Sequence, residues 1–526
     1  MDRRNFIKAA GLFSTTLVSG CALTQFNTNP DFVRVAAKTR AIKNIPLRHG
    51  KYSAGRHKFF IVTSNPDEAH LEFPELRSAV NLYNKPKLTL SLGNALECRR
   101  CTRINVYCRC RKISEIIIYT GFGYQPMRCD IPLEYLDDVA TYGLNLSFVD
   151  FDLKDADIYD YDEQPNEICF FDFSPTEQPD LCALAPQILV YETCVNLEKH
   201  FYENLYSLNS ILPFGWMSGC QTEGLHELAK AGDNSAMKAL KKHLNYYLDD
   251  EKGVVFENPR GFLFENGKFD SVEDFLPFST IDVIYPNHKA TDMFLKWALP
   301  SIRKYDNKPI TSRFLSTEGC YTFAYPLLRI AANRNDRQLA QTAINETVIR
   351  IERLVSADGK IHQRASARST PVLPNWTRGI AWYMLGLVQI LKIVDSHGLG
   401  DLNGVDKIRK SFKDSAKYLS QFQRDGYWDC ISGLPETRSE SSGSMGISAS
   451  YALGVEAGYL DSSYLDRANL ALERFFTPEN LEPDGFSKNI TQSNRLGVKF
   501  QYLGKRIIMQ LGSGLAAHII AVNKRI

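Results

Sequence analysis

The sequence has no uninterrupted apolar run of the roughly 20 residues that a membrane-spanning helix needs. It also has almost no excess of charge, since 62 lysines and arginines face 60 aspartates and glutamates and leave a formal net charge of +2. That balance gives no sign of a surface for nucleic acids or anionic membranes. Low-complexity tracts are absent as well. What is present is a 526-residue chain, 44% hydrophobic and 23% charged, with a composition typical of globular proteins and a length sufficient for two cores.

The N-terminus differs from the rest of the chain. Residues 2–8 (DRRNFIK) resemble a twin-arginine export motif, and a short apolar stretch follows at residues 9–18. The sequence VSGC that ends at Cys21 resembles a lipobox, in which the cysteine carries the lipid. These features predict a signal segment at residues 1–21 and an exported protein anchored in the bacterial envelope by lipid at Cys21. The alanine after Cys21 favours the outer membrane, and a cytoplasmic chain with an amphipathic start is the alternative.

Twelve cysteines are present, and four of them are closely spaced: Cys98, Cys101, Cys108 and Cys110. Four thiolates suit tetrahedral zinc, but the second pair is separated by one residue and lacks the spacing of a zinc knuckle. In an oxidising compartment, disulfides or buried thiols are the better explanation. We therefore predict no metal site.

Two parts of the chain have different periodicities. Short runs rich in β-branched and aromatic residues, separated by turn residues, fill residues 44–191 and predict a β-rich, sandwich-like domain. From residue 192 to 526, apolar residues recur three and four positions apart, and this pattern predicts about ten to twelve helices. The sequence therefore predicts a mainly α, multidomain protein. We expect the helices to form hairpins closed into a toroid, with an open α-solenoid as the alternative.

Residues 375–382 (NWTRGIAW) are the most informative segment of the chain. The indole faces of Trp376 and Trp382 suit the apolar face of a sugar ring, and the guanidinium of Arg378 suits a carboxylate. Residues 440–445 (ESSGSM) follow and predict a serine-rich turn that enters a helix, where anions are favoured. Together these segments predict a pocket for an acidic sugar.

Four further motifs precede these two segments: residues 215–221 (GWMSGCQ), 272–277 (VEDFLP), 317–321 (TEGCY) and 358–363 (DGKIHQ). In this order and on a helical background, the six motifs resemble those of the unsaturated glucuronyl and rhamnogalacturonyl hydrolases, glycoside hydrolase families 88 and 105. The resemblance covers roughly residues 213–476, and it implies an (α/α)6 toroid.

The resemblance also implies a reaction. Such enzymes act on oligosaccharides from polysaccharide lyases, whose non-reducing end is a 4,5-unsaturated uronic acid. An acid protonates C4, water adds at C5, and the resulting hemiketal opens and expels the remaining sugar. This chemistry needs a carboxyl group that gives and recovers a proton, a polar group that orders water, and groups that hold the carboxylate. It implies no cofactor.

Residue roles follow from the matched motifs. Glu318 stands where the family usually has aspartate, and it is the expected acid and base. Glu273 or Asp274 is the expected second carboxylate, with Asp282 as a competitor, and His362 is expected to bind the water or the substrate. The expected substrate-binding residues are Arg378, Trp382, Trp376, Trp216, Gln221, Ser442 and Ser444.

Two other functions are also consistent with the sequence. One is a polysaccharide lyase or sugar epimerase on a similar toroid. The other is a non-catalytic glycan-binding lipoprotein in which the glutamate at position 318 has lost the chemistry.

Overall fold

The first part of the chain is built from short antiparallel strands. The computed structural model describes residues 30–40, 42–43, 58–98, 101–153, 166–172, 179–193, 195–255, 269, 271–304, 314–366 and 370–526. By its internal contacts the chain divides into Met1–Pro30 and Asp31–Ile526, and every element described below belongs to the second unit. The predicted signal segment and Cys21 lie outside the described residues.

Twelve strands of the described chain precede the helical part. They are β1 (Phe32–Ala36), β2 (Lys38–Thr39), β3 (Ile42–Lys43), β4 (Lys58–Val62), β5 (Ala69–Glu72), β6 (Lys87–Gly93), β7 (Thr102–Cys108), β8 (Arg111–Ile118), β9 (Pro126–Ile131), β10 (Leu144–Asp150), β11 (Ile168–Asp172) and β12 (Gln187–Tyr191). Two short helices, α1 (Leu76–Val80) and α2 (Leu136–Tyr142), lie among them.

All of these strand pairs are antiparallel. The orders are β1-β12-β6-β9, β2-β5-β10-β7-β8 and β11-β4-β3. Alternate residues such as Leu88 and Leu90 of β6 and Leu144 and Leu146 of β10 are buried in one apolar core. Successive side chains of a strand point to opposite faces of the sheet, so residues two positions apart share a face. That face packs into the shared core.

Helices dominate from residue 197 onward. They are α3 (Leu197–Leu205), α4 (Trp216–Lys230), α5 (Asn234–Tyr247), α6 (Phe278–Ile284), α7 (Lys289–Lys304), α8 (Tyr325–Asn333), α9 (Arg337–Leu354), α10 (Thr377–Ser396), α11 (Val405–Ser420), α12 (Ser441–Glu456), α13 (Ser463–Phe475), α14 (Gly497–Gln501) and α15 (Leu511–Arg525). Small antiparallel strands connect them: β13 (Leu248–Asp249), β14 (Gly253–Val254), β15 (Phe314–Ser316), β16 (His362–Ser366), β17 (Val372–Pro374), β18 (Ile490–Thr491) and β19 (Arg506–Ile507).

Six of the helices form a closed circuit of contacts. In order, α4 packs on α6, α6 on α8, α8 on α10, α10 on α12, α12 on α15, and α15 returns to α4. The helices α5, α7, α9, α11 and α13 each pack on the helix that precedes them, and α3 packs on α15. Helices of the circuit are buried nearly all round, whereas helices such as α11 have one apolar face.

One helix of the circuit, α10, is long and apolar enough to cross a membrane. In the most apolar part of this helix, 83% of the residues are buried inside the protein. The pattern is that of a core helix, because its apolar surface is already covered by neighbouring helices.

A buried charge cluster joins the strands to the helical part. Asp484 accepts hydrogen bonds from both terminal nitrogens of Arg128 on β9, at 2.9 and 2.8 Å, and lies 2.7 Å from Arg34 on β1. Glu482 lies 3.2 Å from the same Arg128. Two arginines hold the pKa of the Asp484 carboxyl well below its usual value, although burial alone would raise it.

The cysteine segment contains three buried side chains and one exposed side chain. Cys98, Cys101 and Cys108 are buried and Cys110 is exposed. Burial raises the pKa of the Cys101 thiol to about 12. Across the described residues, no group of three or more histidine, cysteine, aspartate or glutamate side chains is placed to hold a metal ion.

Candidate active site

Glu318 lies directly before the circuit helix α8, between β15 and a π-helical turn, Cys320–Ala324, that leads into α8. π-helical turns within helices are often found at functional sites. The side chain is only 7% exposed. Its Oε1 accepts a hydrogen bond from Nε2 of Gln363, and its Oε2 has no partner among the described residues. Burial, and then the negative charge of nearby Glu273, raise the pKa of Glu318 to about 7.

Gln363 holds the Glu318 carboxyl in place. It lies on β16, and its Oε1 accepts a hydrogen bond from the Thr317 hydroxyl at 2.8 Å. Thr317 also donates its backbone N–H to the carbonyl of Gln363 at 3.0 Å. The side-chain amide of Gln363 therefore has one fixed orientation, and its NH₂ group donates to the carboxyl of Glu318, the residue after Thr317. Sequence reasoning missed Gln363, although it stands in the same motif as His362.

The structure places His362, the residue expected to bind the water or the substrate, next to the end of α9. Its Nδ1 lies 3.2 Å from the carbonyl oxygen of Leu354, at the end of α9. Adjacent side chains of a strand point to opposite faces, so Gln363 faces Glu318 and His362 faces away from it. Gln363, rather than His362, is the residue of this motif that contacts the carboxyl.

Glu273 and Asp274 lie on a short 3₁₀ turn, Val272–Asp274, next to the start of α4. Asp274 accepts the backbone N–H of Ser271 at 3.1 Å and so caps this turn. Glu273 is partly buried, and its charge acts on Glu318. A Cβ atom at Gly215, where φ is +124°, would lie 3.2 Å from the carbonyl oxygen of Glu273. The glycine thus lets the turn approach α4 closely, and of its two acidic residues Glu273 is the one whose charge acts on Glu318.

The competitor, Asp282, is engaged elsewhere. It is 5% exposed on α6 and accepts a hydrogen bond from the side-chain amide of Asn333 at 2.7 Å. Asn333 is the last residue of α8, so this contact joins the far ends of two helices.

Arg378 lies between two indole rings at the start of α10. Its guanidinium carbon is 4.9 Å from the ring centre of Trp376 and 5.6 Å from that of Trp216. The guanidinium donates to the backbone carbonyls of Thr491 at 2.7 Å and Gln492 at 3.1 Å. Burial lowers its pKa, and the group stays cationic because arginine ionises far above neutral pH. The sequence did not indicate the two carbonyl partners.

Trp382 and Trp216 form part of an aromatic layer beneath this arginine. The ring of Trp382 lies 5.6 Å from that of Trp216, and it stacks on Tyr321 at 6.0 Å with a 9° angle between the planes. Tyr321 in turn stacks on Tyr325 at 5.8 Å. Stacked and tilted aromatic pairs of this kind give a rigid apolar floor.

The serine-rich turn is satisfied internally. Glu440 begins α12, and its carboxylate accepts hydrogen bonds from the backbone N–H groups of Ser442 and Gly443 and from the Ser442 hydroxyl. Ser444 accepts the backbone N–H of Trp428 at 2.9 Å. The two serine hydroxyls therefore take part in the fold of the turn. Glu440 is the helix cap that sequence reasoning did not single out.

Gln221 also has a structural position. It is fully buried, and its Nε2 lies 3.4 Å from the carbonyl of Ser210. A Cβ atom at Gly514 of α15 would collide with Gln221, so the side chain lies in the close contact between α4 and α15. The structure does not bring it together with Glu318 and Arg378.

The arrangement brings together the chemical elements of an acid–base site. The Glu318 carboxyl has a raised pKa and one oxygen without a partner among the described residues, and the charge of Glu273 acts on it. The charge of Glu318 in turn acts on the buried Arg378, whose guanidinium lies against two indole rings. A carboxyl with a pKa near 7 gives and recovers protons at neutral pH.

Comparisons with known proteins show what the chain is similar to. Residues 330–525 match the sequence model of Glycosyl Hydrolase Family 88. A solved structure from Salmonella enterica serovar Paratyphi A, described as a possible member of the GH105 family, is 14% identical with a TM-score of 0.51, over 62% of this chain and 93% of that chain. A family 105 glycoside hydrolase from C. acetobutylicum is 15% identical with a TM-score of 0.51, over 63% of this chain and 98% of that chain.

A third solved structure extends the same result. It comes from Klebsiella pneumoniae, is described as a possible member of the GH105 family, and is 15% identical with a TM-score of 0.50, over 62% of this chain and 92% of that chain. No curated protein sequence matches the chain. The resemblance to families 88 and 105 is confirmed, and the three solved structures share the fold of the matched part.

Proposed function

We propose that this chain, whose residues 330–525 match the model of Glycosyl Hydrolase Family 88, is a glycoside hydrolase that removes a 4,5-unsaturated uronic acid from the non-reducing end of oligosaccharides. The observation that carries the proposal is the state of Glu318. Its carboxyl is buried, one oxygen is held by Gln363, the other has no partner among the described residues, and its pKa is about 7.

The proposed reaction begins with proton transfer. Glu318 donates a proton to C4 of the vinyl ether, and positive charge develops at C5, where the ring oxygen stabilises it. Water adds at C5 and loses a proton, and the acid is restored. The hemiketal then opens and expels the remaining sugar. Protonation at carbon is the difficult step, and a carboxylic acid kept neutral at pH 7 suits it.

Glu273 and Arg378 have complementary roles in this proposal. Glu273 is partly exposed and orders the attacking water or a sugar hydroxyl. Arg378 attracts the uronate carboxylate with the N–H groups that the carbonyls of Thr491 and Gln492 leave unused. The rings of Trp216 and Trp376 lie against this guanidinium and offer apolar surface to the sugar ring.

The closed circuit of six helices supports an (α/α)6 toroid as the scaffold of the site. Trp216, Arg378 and Ser442 lie in the first turns of α4, α10 and α12, and Glu318 comes just before the π-helical turn that leads into α8. Inner helices that start at one end of a ring bring such residues to one pocket.

We also propose that the protein is exported and anchored by lipid at Cys21, as its N-terminal sequence predicts. Fractionation of cells that express the full chain tests this. The wild-type protein should enter the membrane fraction and incorporate a labelled fatty acid, and Cys21→Ala should do neither. Label in Cys21→Ala at the wild-type level would contradict the anchor.

The enzymatic proposal is tested with a panel of lyase-generated oligosaccharides, by following the ultraviolet absorbance of the double bond. The wild-type protein should consume the absorbance of at least one substrate. Glu318→Gln should turn it over about 10²- to 10⁴-fold more slowly, since it keeps the shape but lacks the proton. Glu473→Gln, at an exposed position on α13, is the matched control and should match the wild type.

The alternatives predict different results. A lyase would increase the absorbance with an intact polysaccharide, and a non-catalytic binding protein would leave it unchanged while binding the sugar. Equal turnover by Glu318→Gln and the wild type would remove Glu318 from the mechanism.

A further inference from the structure

The C-terminal segment around β18 is fastened to both helices that carry the sugar-binding motifs. Arg378 of α10 donates to the carbonyls of Thr491 and Gln492. The backbone N–H of Thr491 lies 3.4 Å from the Glu440 carboxylate, which caps α12. Ser441 donates its backbone N–H to Asn489 at 2.8 Å. These contacts fix the backbone of Gln492 beside the guanidinium.

The side chain of Gln492 is buried but not satisfied. It is 2% exposed, and its Oε1 has no hydrogen-bond partner among the described residues. A buried amide oxygen without a partner is costly, and groups of this kind mark places where a water or a ligand supplies the missing bond.

Two further unpartnered atoms belong to residues that are connected to Arg378 and Gly379. One is Nε1 of Trp376, whose ring covers the Arg378 guanidinium and whose Cε3 would lie 3.1 Å from a Cβ atom at Gly379. The other is Oε2 of Glu318, whose partner Gln363 packs against Gly379. Thus Gln492 and Trp376 each contact Arg378, Glu318 is joined to Gly379 through Gln363, and each of the three side chains has an unpartnered polar atom.

We propose that Gln492 binds the unsaturated sugar ring through a hydroxyl group and so determines substrate specificity; this rests on the proposed function. The acceptor Oε1 needs a hydrogen-bond donor, which a hydroxyl has and an ionised carboxylate lacks. Trp376 Nε1 donates to a hydroxyl oxygen of the same ring. Arg378 therefore has two effects, since it attracts the carboxylate and holds the backbone of the residue that reads the hydroxyl.

These atoms are closed to solvent, so sugar entry requires a neighbouring side chain to move. We assign this movement to Trp216, because it is the partly exposed indole beside the Arg378 guanidinium. Because Gln492 Oε1 is closed to solvent, a sugar hydroxyl that binds it displaces no bulk water. A hydrogen bond in such an enclosed place discriminates strongly between substrates.

The experiment compares Gln492→Leu with Gln389→Leu on the oligosaccharide that the wild-type protein turns over fastest. Gln389 is a matched control, because it is also a buried amide with an unpartnered atom on α10. It lies about 16 Å further along the helix than Arg378, at 1.5 Å per residue. Gln492→Leu should lower kcat/KM about 10- to 100-fold, mainly through KM. Gln389→Leu should stay within about twofold of the wild type.

Deoxy substrates identify the hydroxyl. For one monodeoxy sugar in a series, the wild type and Gln492→Leu should be equally slow, because the interaction is then absent from both. Equal kinetics of Gln492→Leu and Gln389→Leu on the complete substrate would overturn the proposal.

Calorimetric titration with an unsaturated glucuronyl disaccharide separates this proposal from the enzymatic one. If the wild type binds the disaccharide but turns over no substrate, the enzymatic proposal fails, and weaker binding by Gln492→Leu alone sustains the role of Gln492. Binding unchanged by Gln492→Leu would overturn that role. No binding by the wild type would overturn both.

Discussion

Gly379 sets how closely Gln363 approaches the helix that carries Arg378. A Cβ atom at this position would overlap Oε1 of Gln363, and it would lie 3.1 Å from Cε3 of Trp376. The absence of a side chain is therefore what allows the amide to reach Glu318.

We predict that Gly379→Ala lowers kcat about 100-fold, because displacing Gln363 by about 1 Å also displaces the carboxyl that it holds. Steady-state kinetics on the accepted oligosaccharide measures this effect. Gly400→Ala is the control, since a Cβ atom there meets nothing within 4 Å. A Gly379→Ala enzyme as active as Gly400→Ala would show that Gln363 does not position the acid.

The sequence indicated which residues belong to the site, but it did not indicate which atoms those residues contact. Trp376, Arg378 and Glu318 were expected near one another, and the structure brings them together. The partners of Arg378, however, are carbonyls 113 and 114 positions along the chain. A contact with a backbone carbonyl leaves no mark on residue type, so sequence patterns do not reveal it.

Strand β16 places the side chains of its neighbouring residues His362 and Gln363 on opposite faces. Gln363 faces the acid and His362 faces the end of α9. Motif reasoning treated residues 358–363 as a loop and chose the histidine. The two-residue period of a strand would have placed only one of the pair in the pocket.

We predict opposite outcomes for the two neighbours. Gln363→Leu should lower kcat about 10- to 100-fold, because it removes the amide that orients the acid. His362→Ala should change kcat by less than about threefold, although it removes a contact to Leu354. Parallel kinetic measurements, with thermal melting to check folding, decide this. A larger loss for His362→Ala would restore the histidine to the mechanism.

Helical periodicity was the more reliable guide to elements. Apolar residues recur three and four positions apart in residues 376–394, 406–423 and 463–475, and these segments match α10, α11 and α13. The helix starts were less predictable. The turn before α8 is π-helical, and α10 begins without a side-chain cap at Trp376, so neither start has a capping signal in the sequence.

The carboxylate of Asp484 joins the strands to the helical part of the molecule. It is fully buried against Arg128 and Arg34, which come from β9 and β1. Removing its charge leaves the buried Arg128 and the partly buried Arg34 near one another with only Glu482, among the described residues, to balance them.

We predict that Asp484→Asn lowers the free energy of unfolding by about 3–5 kcal/mol at pH 7, measured by urea denaturation. The exposed pair of Asp137 with Arg77 is the control, and Asp137→Asn should cost less than about 1 kcal/mol. The pKa of Asp484 is lowered on folding, so its stabilisation is full above the unfolded value of 3.8 and is lost as pH falls through the folded pKa. The difference between wild type and Asp484→Asn should therefore be constant above about pH 5 and shrink below about pH 4.

The closed circuit of helix contacts was the feature of the whole molecule that the sequence predicted least well. Helix α3 stands at the start of the helical part and α15 at the end of the chain, yet they pack together, and α15 also contacts α4. Each helix has an apolar face that the sequence reveals, but which face it meets depends on the assembly of all the others. A count of helices therefore left both a toroid and a solenoid open.

The central claim is that Glu318 donates the proton, and the pH dependence of kcat tests it most directly. Because burial and Glu273 raise its pKa to about 7, the acid is protonated below that value and is lost as pH rises through it. For the wild type, we predict that kcat on an unsaturated uronyl oligosaccharide falls about tenfold per pH unit above about pH 7. For Glu318→Gln, the residual rate should lack this fall. A wild-type kcat that stays constant from about pH 6 to about pH 9, or the same falling limb in Glu318→Gln, would contradict the account.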